Sequence, residues 1–214
     1  MGFVQSNHAE NSGIATTIAT TLTVTGGNTI LAGVTCDDSS TIVSVKDDLG
    51  NSFTSREAQD NTVFGQRLAL FDLFSVTAGA RTFTATFSPS SDFRGIMVEE
   101  VSGLSMFHAP AGTTGASTTP DSGAATSAVG DYCFGALQGH SNGPSFTGVL
   151  GLRVTDAVNN AIYGDGAATG STTNATGTVS PSQDWTAVIA TYTVSAGTPA
   201  FEEDALLYQI VQPR

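Results

Sequence analysis

Apolar and polar residues alternate most cleanly in Arg81–Ser88, with Phe83, Ala85 and Phe87 on one face and Thr82, Thr84 and Thr86 on the other. A period of two marks a strand with one buried face. The same reading predicts strands over Ile14–Val24, Thr29–Cys36 and Thr41–Lys46, a largely apolar strand within Gln66–Val76, and another over Phe93–Val101. Gly26-Gly27-Asn28, Asp47 to Ser52, Thr77 to Ala80 and Pro89 to Asp92 separate these runs with residues that favour turns. Further on, strands are expected over Ser145–Leu150, Leu152–Val158, Thr176–Val179 and Trp185–Val194, whereas Leu104 to Ser127 reads as an Ala/Gly/Thr/Ser crossover.

One segment is written nearly twice. Thr84-Ala85-Thr86-Phe87-Ser88-Pro89-Ser90-Ser91-Asp92-Phe93 is echoed by Thr176-Gly177-Thr178-Val179-Ser180-Pro181-Ser182-Gln183-Asp184-Trp185, an offset of 92 (176 − 84). Gly130-Asp131-Tyr132-Cys133-Phe134 likewise matches Gly27-Asn28-Thr29-Ile30-Leu31. In the last strands this offset pairs Ile96 with Val188, Met97 with Ile189 and Phe93 with Trp185. A period near 90 residues is too long for a solenoid unit and suits half of a two-sheet sandwich. The expectation is an all-β fold: a single jelly-roll-like β-sandwich over residues 1–197, built from halves at about 8–104 and 110–195. Two tandem small sandwiches are the other arrangement that fits. Residues 198–214 form a C-terminal extension, either a short helix or an added strand.

The markers Gly27-Asn28-Thr29-Ile30-Leu31, Val45-Lys46-Asp47-Asp48-Leu49-Gly50-Asn51-Ser52-Phe53-Thr54 and Val98-Glu99-Glu100-Val101-Ser102-Gly103-Leu104 are turns and strand ends. They resemble the jelly-roll-like domain that recurs in virion proteins of tailed phages and in bacterial surface proteins, over about residues 5–195. The resemblance implies the fold and a binding or structural role, and it carries no functional residues.

Composition narrows the partners. Charged residues are 12% of the 214, against about 25% in an average soluble domain, so Thr, Ser, Asn and Gly must cover the surface. The net charge of −12, with a single lysine (Lys46), argues against nucleic acid and anionic membranes. No run reaches the roughly 18 apolar residues of a membrane span, and the first residues lack a basic and then apolar leader. Cys36 and Cys133 lie in apolar strands, as buried thiols or as one bridge.

Motifs for chemistry are sparse. His8, His108 and His140 lack zinc spacing, no Gly-x-Ser-x-Gly occurs, and Gly164-Asp165-Gly166 reads as a turn. Asp37-Asp38 and Asp47-Asp48 carry oxygen ligands suited to Ca²⁺, although Asp in turns also bonds nearby backbone N–H groups. Glu99 and Glu100, adjacent in an apolar strand, suggest a buried, paired carboxyl. Trp185, Tyr132, Tyr163 and Tyr192 are candidates for a sugar-stacking platform, with core packing the competing role for Trp185. The tail concentrates Phe201, Leu206, Leu207, Tyr208, Ile210 and Val211 as a candidate partner-binding arm.

The resemblance, taken with the sparse catalytic motifs, implies an expected non-enzymatic virion structural protein without cofactor, most specifically a capsid decoration or cement protein of a tailed phage. It would assemble in the host cytoplasm, form a homotrimer, and bind the major capsid protein or other virion subunits. The alternative is a carbohydrate-binding adhesin module on a phage tail or cell surface, with a glycan as partner.

Overall fold

The structure, a computed structural model, describes residues 2–38 and 41–195. Every regular element among them is a β-strand. The first half contributes β1 (Gly2–Asn11), β2 (Ala15–Val24), β3 (Thr29–Cys36), β4 (Ile42–Asp47), β5 (Thr54–Asn61), β6 (Gln66–Leu73), β7 (Gly79–Ser91) and β8 (Arg94–Ser102). The second contributes β9 (Leu104–Ser117), β10 (Ala125–Thr126), β11 (Tyr132–Gly139), β12 (Ser145–Thr147), β13 (Gly151–Asp156), β14 (Ala161–Ala167), β15 (Thr172–Thr173), β16 (Thr176–Thr178) and β17 (Gln183–Val194).

Among the described residues, no sheet mixes strands from the two halves. The first half forms one sheet ordered β1-β8-β3-β6-β5 and another ordered β2-β7-β4. The second forms β13-β14-β11-β17-β9, plus the ribbons β10-β15 and β12-β16. Read from the other edge, β9-β17-β11-β14-β13 repeats the order β1-β8-β3-β6-β5, and β15 and β16 together take the part of β7. The chain therefore departs from the expected single sandwich whose layers both halves share. Each half has enough strands to cover one face of its large sheet by itself.

Three apolar layers result. Ile18, Val34, Phe71, Phe83, Phe87, Ile96 and Val98 fill the space inside the first half. Leu137, Ile162, Val179, Trp185 and Ile189 fill the corresponding layer of the second. Between them, Leu31, Leu68, Leu70, Met97 and Val101 meet Tyr132, Phe134, Tyr163, Val188, Ala190 and Tyr192. This middle layer buries the face that neither half covers alone, and burial of such aromatic and aliphatic area is the main force holding the halves together. β1 packs against β13 while β5 packs against β9, so an approximate twofold relates the halves. Loops at corresponding ends of the two halves thus lie together, as the stacking of Phe64 on His140 illustrates.

The core residues Phe83, Phe87, Ile96, Val98, Val179, Val188 and Ala190 expected from the sequence are all buried. Two expectations need correction. Leu104–Ser117 is not a crossover but a strand paired along its length with β17. It and β1 are half-exposed edge strands, so neither shows clean alternation. The repeat offset is also wrong in the last strand. The ladders set Gly33 opposite Met97 and Ala136 opposite Val188. With Leu31 and Phe134 corresponding, Met97 matches Val188 at an offset of 91 (188 − 97). One residue of slip reverses every face. Hence Phe93 sits exposed in a turn with φ of 43°, while Trp185 is buried in the second half.

Candidate functional site

Polar chemistry concentrates in the seam between the two large sheets. Glu99 on β8 is fully buried and points with Met97 and Val101 toward the second half. There Tyr132 Oη bonds Glu99 Oε1 and lies 2.6 Å from Asp165 Oδ2 on β14. Arg153 on β13 forks onto both Asp165 oxygens, and its guanidinium lies 4.1 Å above the centre of the Phe3 ring on β1. Burial, reinforced by the Asp165 charge, pushes the Glu99 carboxyl up to about 8, and burial likewise raises the Tyr132 phenol.

Two further clusters flank this one. Asp156 at the end of β13 accepts from Thr35 Oγ1 at 2.9 Å and from Asn159, and Glu10 of β1 lies beside it and accepts the Val158 N–H at 3.2 Å. Burial, then Glu10, pushes Asp156 up to about 6. On the other side Arg56 bonds the buried Asp72 at 2.6 Å and lies over Phe107 of β9. All three clusters join residues of opposite halves.

Both neighbouring glutamates are buried, whereas the sequence suggested one. Alternation sends Glu100 the other way, where it accepts from Gln5 Nε2, the Thr25 N–H and Asn28 Nδ2. Gly164-Asp165-Gly166 proves to be strand, not turn. Its glycines admit close backbone, since a Cβ on either would strike the Val149–Gly151 segment.

The other candidates resolve as follows. Tyr132, Tyr163, Tyr192 and Trp185 are all buried, so they form no exposed stacking platform. Trp185 donates to Ser117 Oγ at 3.0 Å and rests on Gly115, where a Cβ would stand 2.5 Å from its ring. The histidines stay apart: His108 bonds Asp131 at 2.7 Å, His140 stacks on Phe64, and His8 lies on β1. Cys36 and Cys133 are both free and buried, in different apolar layers. The arm residues Phe201, Leu206, Leu207, Tyr208, Ile210 and Val211 lie outside the described residues.

Asp47 uses its carboxylate as a turn brace. Oδ1 accepts the N–H of Leu49 at 3.0 Å and of Asn51 at 2.8 Å, and Oδ2 accepts Asn51 Nδ2 at 2.8 Å, while Gly50 takes φ of 84°. Asp47→Ala is expected to cost about 1–3 kcal/mol in chemical denaturation. The midpoint of the unmodified protein should be the same with Ca²⁺ and with chelator. A Ca²⁺-dependent midpoint would mean that the carboxylate serves a metal instead.

Two open grooves lie on the surface. One, of about 380 Å³, runs between β1 and β2 and is lined by Gln5, Asn7, Thr21 and Thr23. The side-chain amides of Gln5 and Asn7 bond the Thr23 and Thr21 carbonyls there and seal the β2 edge. The other, of about 520 Å³, has Pro144, Phe146, Leu150, Leu152 and Ile162 in its wall. No helix among the described residues is long and apolar enough to cross a membrane.

Comparison with known protein families, with curated proteins and with solved structures finds no significant match to this chain.

Proposed function

We propose that the protein is a non-enzymatic structural component of a tailed-phage virion, most specifically a decoration protein clipped to the capsid as a homotrimer. In this reading each half is a jelly roll, and the major capsid protein is the partner. The observation that carries it is the use made of the ionisable groups. Glu99, Tyr132, Asp165, Arg153, Glu10 and Asp156 join two like-ordered sandwiches side chain to side chain, as fasteners within a stack. A rigid stack with a Thr/Ser-rich, acidic exterior suits a part that serves by shape. The resemblance of the turn markers to virion domains points the same way.

Purified protein should bind particles that lack it, saturating at a fixed ratio to the capsid subunit. Truncation after Gly197 is expected to abolish that binding and leave the melting temperature nearly unchanged. Full binding by the truncated chain would exclude the arm as the attachment. Saturable binding to a glycan array with no binding to particles would favour the adhesin reading.

A further inference from the structure

The seam contains more carboxyl oxygens than its donors serve unless it also holds protons. Tyr132 Oη approaches both Glu99 Oε1 and Asp165 Oδ2 within hydrogen-bond range. A phenol has one proton and donates to one acceptor. If both carboxyls were ionised, one of these contacts would set lone pair against lone pair in a dry interior, where unpaired charge is most costly. The cluster must therefore hold a second proton.

Its place follows from the partners. Asp165 has the Arg153 guanidinium on both oxygens. Among the described residues Glu99 has no ion-pair partner, is fully buried, and leaves Oε2 without a hydrogen-bond partner. The proton belongs on Glu99. Donation then runs in one direction: Glu99 O–H to Tyr132 Oη, Tyr132 O–H to Asp165, and Arg153 N–H to Asp165.

We propose that the two halves are fastened by a proton that Glu99 holds against Tyr132, and that losing this proton to solvent base loosens one sandwich from the other. When base takes it, Glu99 becomes a carboxylate facing Asp165. The single Tyr132 proton then serves one of them and leaves the other unsatisfied. Separation of the sheets restores water to both. Glu10 and Asp156 make a second carboxyl pair across the seam, where Glu10 accepts the Val158 N–H at 3.2 Å and Asp156 accepts the Asn159 N–H at 3.0 Å.

The surroundings of Glu99 are Tyr132 from β11, Asp165 from β14, Arg153 from β13 and Tyr192 from β17, with Asp72 and Arg56 beyond Tyr192. Opposite it in its own sheet stand Leu31 and Ser6, neither of which titrates. The Glu10 and Asp156 carboxyls are faced by Thr35, Asn159 and Tyr163, with His8 along β1 and Cys36 near Tyr163. The charge of Arg153 acts on Glu99, and Asp165 already pairs with that guanidinium.

The sign follows from where each state keeps the proton. Burial raises Glu99 from an ordinary 4.5 to about 8, so between these values the closed stack holds a proton that the opened chain releases. The closed state is favoured on the acid side and loses about tenfold in its closed-to-open ratio for each pH unit across that window.

The experiment follows the full chain from about pH 4 to about pH 9.5, a range that brackets the window. Amide hydrogen exchange, corrected for its intrinsic base catalysis, should report that tenfold loss per unit in β8, β11 and β14. In Glu99→Gln the tenfold-per-unit dependence between about pH 6 and about pH 8 should disappear, since the amide donates to Tyr132 without titrating and Asp156 titrates only up to about 6. Infrared spectra should contain the carbonyl band of a protonated buried acid on the acid side, fading near pH 8. This second measurement needs no variant. A flat corrected exchange profile in the unmodified protein would overturn the proposal, as would infrared spectra in which every carboxyl is ionised at about pH 6.

Discussion

Replacing Tyr163 by alanine is expected to lower the unfolding free energy by about 3–5 kcal/mol, the usual cost of emptying a large aromatic site. Tyr163 is 1% exposed and crosses from β14 into the middle layer. Its ring lies on Gly33 of β3, where a Cβ would fall inside the ring's van der Waals envelope. Gly33 does not need unusual backbone angles, because it lies within a regular ladder between Leu70 and Met97. What it supplies is room. Gly33→Ala should therefore be destabilising when Tyr163 is present and much less so beside Tyr163→Ala. Such coupling in a double-mutant cycle isolates the contact between the halves. Additive effects measured by denaturant unfolding would mean that the ring and Gly33 do not share the seam.

Most strands and turns were legible because alternation and turn residues are local signals. Thr29–Cys36 is bounded where the pattern predicts, and Gly27 and Gly50 take the positive φ their turns require. What sequence could not supply was which face meets what. β3 is buried along its whole length, so its two apolar faces carried no hint that one meets β2 and β7 while the other meets β11 and β14. The edge strands β1 and β9 escaped notice because small and polar residues suffice where one side is open.

The seam cluster was half visible. Two glutamates in an apolar strand were suspect, but their partners lie in segments read for other reasons. Tyr132 belonged to a turn echo and Asp165 to a glycine-rich run. The only local sign at Asp165 was the pair of glycines around it, which report close backbone and not a carboxyl partner. Sheet-on-sheet pairing joins residues 33 positions apart for Glu99 and Tyr132, and 148 apart for Glu10 and Val158. No periodicity within one strand encodes such a meeting.

Separating the chain at Gly103 should have the largest effect. Fragments 1–103 and 104–214 are each expected to be insoluble or self-associated when made alone, and to co-purify as a folded complex when made together. Alone, the first would expose Leu31, Leu68, Leu70, Met97 and Val101 on one flat face. That face is the kind of contiguous apolar patch that soluble monomers avoid. Together, the fragments lose no ladder hydrogen bond between halves among the described residues, where every sheet is confined to one half. The covalent junction is a single residue, Gly103, with φ of 74° between β8 and β9. Backbone contact across it is minor, mainly the Ser195 N–H donating to the Gly103 carbonyl at 2.8 Å. Side-chain packing and the polar latches must therefore hold the complex. Sedimentation of the separate and co-expressed fragments tests this directly. A monomeric, cooperatively melting 1–103 fragment would make the halves independent domains, and the middle layer a contact that neither one needs in order to fold.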